Sequence, residues 1–379
     1  MSRSAKLVIL LTILGLLVQN GAGRALAQSA PSPKHQTPDE SALLMAAERE
    51  PKNVELVSSL GNVYLHQGKW RESVRWLSKA YALSGGSESI GCNLAYAYMQ
   101  AGELESAKHQ IEKMLARADS ARLHNLLGAV EERHKNYLDA AREYHRAAEI
   151  DPSEPYIFDL ATFLLQHKQY VGFTDESIKF FRYGVSRFPR SSQMMVGLGV
   201  ALYASGQYDE AVQVLCAAVD LAPTDRRPIE FLGKVRNVSP ALAEQVDRQL
   251  RDFAERYPGN AAANYYYAFS LWQRAGGEEG KNLDKIEGLL RKAETEAPDW
   301  YEPHYQLGVL YGSEKRYLEA IRELQKTIKI EPEFSPAHFK LAVFYNRTGD
   351  KPNAAREAGV VKRLKNRQME SDMVPGAAK

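Results

Sequence analysis

A stretch of 34 residues, Ser192 to Asp225, recurs with changes from Val54 to the C-terminal end of the chain, and such a chain folds as a stack of like units. Within it, Met195, Leu198, Gly199 and Leu202 keep helical spacing, as do Tyr208, Ala211, Leu215 and Ala218. Ser205-Gly206 separates the two runs and Pro223 closes the second. The pattern predicts helix, turn, helix and stop.

Nine units begin near Val54, Glu88, Ala121, Glu154, Ser192, Arg226, Ala261, Tyr301 and Ser335. Repeat position 7 is Leu60, Leu94, Leu127, Leu160, Leu198, Leu232, Tyr267, Leu307 and Leu341, and position 8 is always Gly or Ala. Gly inside a helix costs about 1 kcal/mol relative to Ala, so Gly61, Gly128, Gly199, Gly233 and Gly308 at that register require a close neighbour. Position 20, small at Ser73, Ala107, Ala140, Ser177, Ala211, Ala320 and Ala354, is the expected one. Proline closes five units, at Pro152, Pro189, Pro223, Pro298 and Pro332, because it cannot continue a helix.

This spacing resembles the tetratricopeptide repeat, with Leu and then a small residue along helix A, an aromatic near the turn, Ala in helix B and a final Pro. The resemblance implies an all-α fold: a right-handed superhelical solenoid of about nine tandem helix-turn-helix repeats, with capping helices at both ends and a concave ligand surface. The expected spans are 54–87, 88–120, 121–153, 154–191, 192–225, 226–260 (degenerate), 261–300 (with an insertion), 301–334 and 335–366. Extra residues fall near Gly172 and Gly277, between helix A and helix B. In the sixth unit Arg236 stands where a large apolar residue is common, and any flexing of the array is expected there.

Residues 1–27 read as a signal peptide: Arg3 and Lys6, a 12-residue apolar run from Leu7 to Val18, and the small-x-small site Ala25-Leu26-Ala27. The run is short for a membrane span, which needs about 20 apolar residues. An uncleaved anchor is the alternative, and the only membrane contact expected. The chain is expected to be exported, to the periplasm or the medium. A flexible tail rich in Ser and Pro (28–38), the solenoid (39–366) and a disordered tail (367–379) should follow, with Asp39 to Glu50 a lone helix capping the first repeat. Without Arg3, Lys6 and Arg24 the chain carries 46 basic and 47 acidic residues, a balance that does not suit a nucleic-acid binder. Cys92 and Cys216 lie three units apart and are expected to stay unpaired, because stacked repeats touch only their neighbours.

The sequence shows no H-E-x-x-H, C-x-x-C, P-loop or G-x-S-x-G string, so no enzyme, cofactor or metal site is expected. His124, His304 and His338 share repeat position 4 and should be structural. The resemblance implies that positions 2, 5, 9 and 12 of helix A line the concave groove. There they place Tyr96, Met99, Phe158, Tyr203, Tyr265, Phe269, Trp272, Tyr305 and Phe339, with Thr162, Val196 and Val200. Buried aromatics of this kind anchor peptides, so a protein or peptide client is expected in an exported scaffold or adaptor, in envelope assembly or complex formation. The alternative is a glycan- or cell-wall-binding accessory protein, in which Gln166, Gln273 and Asn346 would bind hydroxyls. Family members that clamp a C-terminal carboxylate share Asn62, Asn93 and Arg122, but Ser58 and Leu126 stand where two of the clamp's three cations belong. No clamp is expected.

Overall fold

A period that holds two amphipathic runs has to bury both against something, and the computed structural model shows them buried against each other. It describes residues 40–167, 176–238, 240–274 and 282–373, in which there are 19 α-helices and no strand. The expected signal peptide and both tails beyond residues 40 and 373, and the insertions near Gly172 and Gly277, lie outside the described residues.

The chain divides into two compact units, Met1–Gln207 and Tyr208–Lys379. The first holds α1 (Glu40–Arg49) and the pairs α2 (Val54–His66) and α3 (Trp70–Leu83), α4 (Glu88–Gln100) and α5 (Leu104–Leu115), α6 (Ala121–Arg133) and α7 (Tyr137–Ile150), and α8 (Glu154–Gln166) and α9 (Glu176–Arg187). It ends with α10 (Ser192–Ala204). The second opens with α11 (Tyr208–Leu221). Its pairs are α12 (Arg226–Val238) and α13 (Pro240–Arg256), α14 (Ala261–Arg274) and α15 (Leu283–Glu296), α16 (Tyr301–Ser313) and α17 (Tyr317–Ile330), and α18 (Ser335–Arg347) and α19 (Lys351–Met373). Within each unit every helix packs on the next, and the position 7 residues are buried.

The turn inside a repeat depends on one backbone conformation. Position 15 has a positive φ in six repeats, at Gly68, Gly102, Gly206 and Gly349 and also at Lys135 and Lys315. The residue after it then donates back to the carbonyl five residues earlier, as Lys69 N does to Tyr64 O at 2.9 Å and Arg316 N to Tyr311 O at 2.9 Å. This bond satisfies an orphan carbonyl at the end of helix A and reverses the chain. Only Gly adopts that conformation without steric cost, so Lys135 and Lys315 are held by the packing on either side of the turn.

The small residue at position 8 has two causes. Ser73 Oγ donates to Gly61 O at 2.9 Å, so the backbones do approach at the small position 20. What fills the space is position 24: a Cβ on Gly61 would sit 2.7 Å from Leu77 Cγ, and one on Gly308 2.7 Å from Leu324 Cγ. The expected meeting of two small faces is thus half of the contact. Gly61, Gly128 and Gly308 each also make room for a large side chain of helix B, whereas Gly233 faces Tyr266 of α14.

Two features differ from the sequence expectation. The helix α19 runs unbroken for 23 residues to Met373, so the expected C-terminal cap and the start of the expected tail are an extension of the last helix B. In the sixth repeat the Arg236 side chain, only 9% exposed, bridges three helices, from α12 to Asp247 on α13 and to Gln273 and the Ser270 carbonyl on α14. No described helix is long and apolar enough to cross a membrane.

Candidate functional site

The nine expected groove residues separate by burial. Met99 and Phe158 are 1% exposed and belong to the core, and Tyr203 and Tyr265 are also buried. As surface residues these four are corrected: an internal repeat is covered by its neighbours, which close over positions 5 and 12 of helix A. Phe158, at position 5, packs edge-on against Phe181 of α9 at 5.9 Å. Tyr265 lies against Trp300 at 4.7 Å and Phe269 at 6.1 Å. Tyr96, Phe269, Trp272 and Tyr305 are half-buried. Phe339, at the same position 5 as Phe158 but in the ninth repeat, is 57% exposed.

In the second unit Phe269 and Trp272 of α14 form one wall of a narrow apolar cleft, completed by Ala268, Ile286, Leu290, Gln306 and Leu310. Tyr305 stands edge-on to Phe334 at 5.0 Å, and Arg226 stacks over Trp300 at 3.8 Å. Trp300 was not singled out in the sequence because it precedes helix A, outside the periodic positions. An aromatic just before a helix start was the signal available.

In the first unit the inner helices carry a polar row. Asn93 Nδ2 donates to Asn62 Oδ1 at 2.9 Å, joining α2 to α4, and Asn125 Nδ2 donates to Asp159 Oδ2 at 2.9 Å, joining α6 to α8. Burial pushes the Asp159 carboxyl up to about 7, against the Asn125 hydrogen bond and with a contribution from Glu132. Asn62 and Asn93 therefore bind each other across adjacent repeats. Sequence spacing missed Asp159, because only its burial distinguishes it from a solvated carboxylate.

The family comparison decides the kind of repeat. Family patterns described as tetratricopeptide repeat match residues 92–155, 165–226 and 301–334. These stretches are tetratricopeptide repeats. Such repeats are protein-binding scaffolds and are typically non-catalytic. A curated relative, human protein O-mannosyl-transferase TMTC1, is 21% identical over 192 residues, covering 50% of this chain and 22% of its own length. The chain therefore spans about a fifth of that relative. Among solved structures, a tetratricopeptide repeat protein from Parabacteroides merdae is 18% identical, with TM-score 0.43 over 74% of this chain and 99% of its own. YrrB, described as a TPR protein with an unusual peptide-binding site, is 18% identical, with TM-score 0.37 over 51% of this chain and 98% of its own.

The three position 4 histidines are built into the helix pairs. His304 Nδ1 lies 3.1 Å from Glu323 and 3.3 Å from Glu294, while Nε2 faces the Pro298 carbonyl at 3.1 Å. His338 repeats the arrangement with Glu357 at 2.6 Å and the Pro332 carbonyl at 2.9 Å, and His124 lies between Glu143 at 2.6 Å and Asp119 at 2.7 Å. In each case the glutamate is 19 residues on, in helix B of the same repeat. Ligand atoms of Glu294, His304 and Glu323 lie within 4.8 Å of one another, as in a metal site. Cations of the chain already bind them, Lys326 Nζ at 2.6 Å from Glu294 and Arg291 at 3.0 Å from Glu323. Cys92 and Cys216 are unbridged, and burial pushes both thiols up to about 12, away from thiolate chemistry.

Burial opposes the His304 imidazolium, but Glu323, the Pro298 carbonyl and Glu294 outweigh it and raise its pKa. A group raised on folding stabilises the fold fully below its unfolded pKa, about 6.5 for His, and loses that contribution as pH rises through the folded value. The urea midpoint of the second unit should therefore fall as pH rises from about 6 into the alkaline range. His304→Gln should flatten that slope, and an unchanged slope in the variant would exclude His304 as its source.

Proposed function

We propose that the protein is an exported, non-catalytic scaffold that holds peptide segments of partner proteins, with the aromatic cleft of the second unit as an anchor point. The observation that carries this reading is the pair Phe269 and Trp272: half-exposed rings that wall an apolar cleft with one amide, Gln306, at its edge. Apolar walls with few polar groups suit a side chain of an extended segment, and the amide can fix its backbone. Tetratricopeptide repeats as protein-binding scaffolds support the reading in general, and the signal-like residues 1–27 support export.

Peptides selected from a displayed library on the mature chain should bind about tenfold or more weakly to a Phe269→Ala, Trp272→Ala double variant of unchanged circular dichroism. Equal binding would remove the cleft from the site. Peptide binding that is absent from both proteins, with retention on purified cell wall, would transfer the aromatics to the glycan reading. N-terminal sequencing of the exported chain should start at Gln28, and a start at Met1 would refute cleavage.

A further inference from the structure

We propose that the open face of the ninth repeat docks an amphipathic helix of another protein whose apolar stripe is flanked by acidic side chains. This surface lies on α18 and α19, apart from the aromatic cleft. It is an open trough, with Phe339 and Val343 of α18 on one side and the alanines Ala355 and Ala358 of α19 on the other.

The preceding repeats show what fits there. In the pairs α2–α3 and α4–α5, as in α16–α17, this face is covered by the helix A of the following repeat, and position 24 is a buried Leu or Ile: Leu77, Ile111 and Leu324. In the ninth repeat position 24 is Ala358, and Phe339 and Val343 are exposed. The occupied version of the surface is helix on helix, and the small residue leaves a groove into which a helix can settle. A flat bilayer would instead require protruding apolar side chains along α19.

Charge selects among helices. Lys351, Lys362 and Lys365 share the helical face of Ala355 and Ala358, and exposed Met369 continues it. Among the described residues none of these lysines forms an ion pair, nor does Arg347, which lines the trough. From Lys351 to Met369 the stripe runs about 27 Å at 1.5 Å per residue, enough for a helix of five turns. A second copy placing the same face here would set these cations against their own like, at a cost in free energy. An acidic amphipathic helix meets both the apolar floor and the cations.

The test uses the full mature chain and two labelled designed helices of 18 residues, with leucines at helical spacing and either glutamates or lysines flanking them. Fluorescence polarisation should show the acidic helix binding, more weakly as salt rises, and the basic helix not binding. Phe339→Ser and the pair Lys362→Glu, Lys365→Glu should each weaken binding about tenfold or more while leaving the melting curve in place, since these side chains are exposed. Equal binding of the two helices, or no effect of either variant, would overturn the proposal. So would sedimentation in which the variants abolish only self-association, which assigns the face to a second copy. Variant-sensitive binding of vesicles rich in anionic lipid, with neither helix bound, would overturn it in favour of a membrane surface.

Discussion

Replacing Asp247 by alanine is expected to destabilise the second unit by about 3–5 kcal/mol, because it leaves the Arg236 guanidinium buried without its counter-charge. The two side chains are 9% and 7% exposed. Arg236 Nη2 reaches Asp247 Oδ2 at 3.1 Å and the Ser270 carbonyl at 3.3 Å, and Gln273 also accepts from it. These neutral acceptors satisfy the hydrogen-bond donors and not the charge. Replacing both partners, Arg236→Met with Asp247→Leu, removes the desolvated charges together and is expected to fall within about 1–2 kcal/mol of the natural protein. Urea unfolding of the three proteins checks this: a loss below about 1 kcal/mol for Asp247→Ala would mean that the pair is solvated. The sixth repeat thus keeps its three helices together through an ion pair where most other repeats place an apolar or aromatic residue.

The second large effect separates core from surface. Phe158→Ala is expected to destabilise the first unit by about 3–5 kcal/mol, since the ring is 1% exposed and its removal leaves a cavity against Phe181. Phe339→Ala removes the same side chain from the same repeat position. At 57% exposure it is expected to change stability by no more than about 0.5 kcal/mol. Chemical denaturation of both variants, read by a probe in each unit, gives the comparison. Similar losses at the two positions would show that Phe339 is covered in solution.

Those two phenylalanines mark where the sequence could be read and where it could not. Repeat register identifies position 5 of helix A in both, but exposure depends on what the following repeat lays over it. The half-buried Phe269 and Trp272 and the buried Tyr265, one helix turn apart, differ for the same reason: Trp300 closes over Tyr265 from outside the periodic positions.

The sequence by itself determined the all-α repeat architecture, the helix pairs and the small residue at position 8, because these follow from interactions local to one 34-residue period. It also determined that His124, His304 and His338 share one register, although not that each meets a glutamate 19 residues on. Only the tertiary structure decided which aromatics are core, that Arg236 has a buried counter-charge, and that α19 continues past its repeat as an open, lysine-bearing face. Periodicity specifies the direction in which a side chain leaves its helix. Its burial and its charge partners come from neighbouring repeats, whose contributions vary while the period does not.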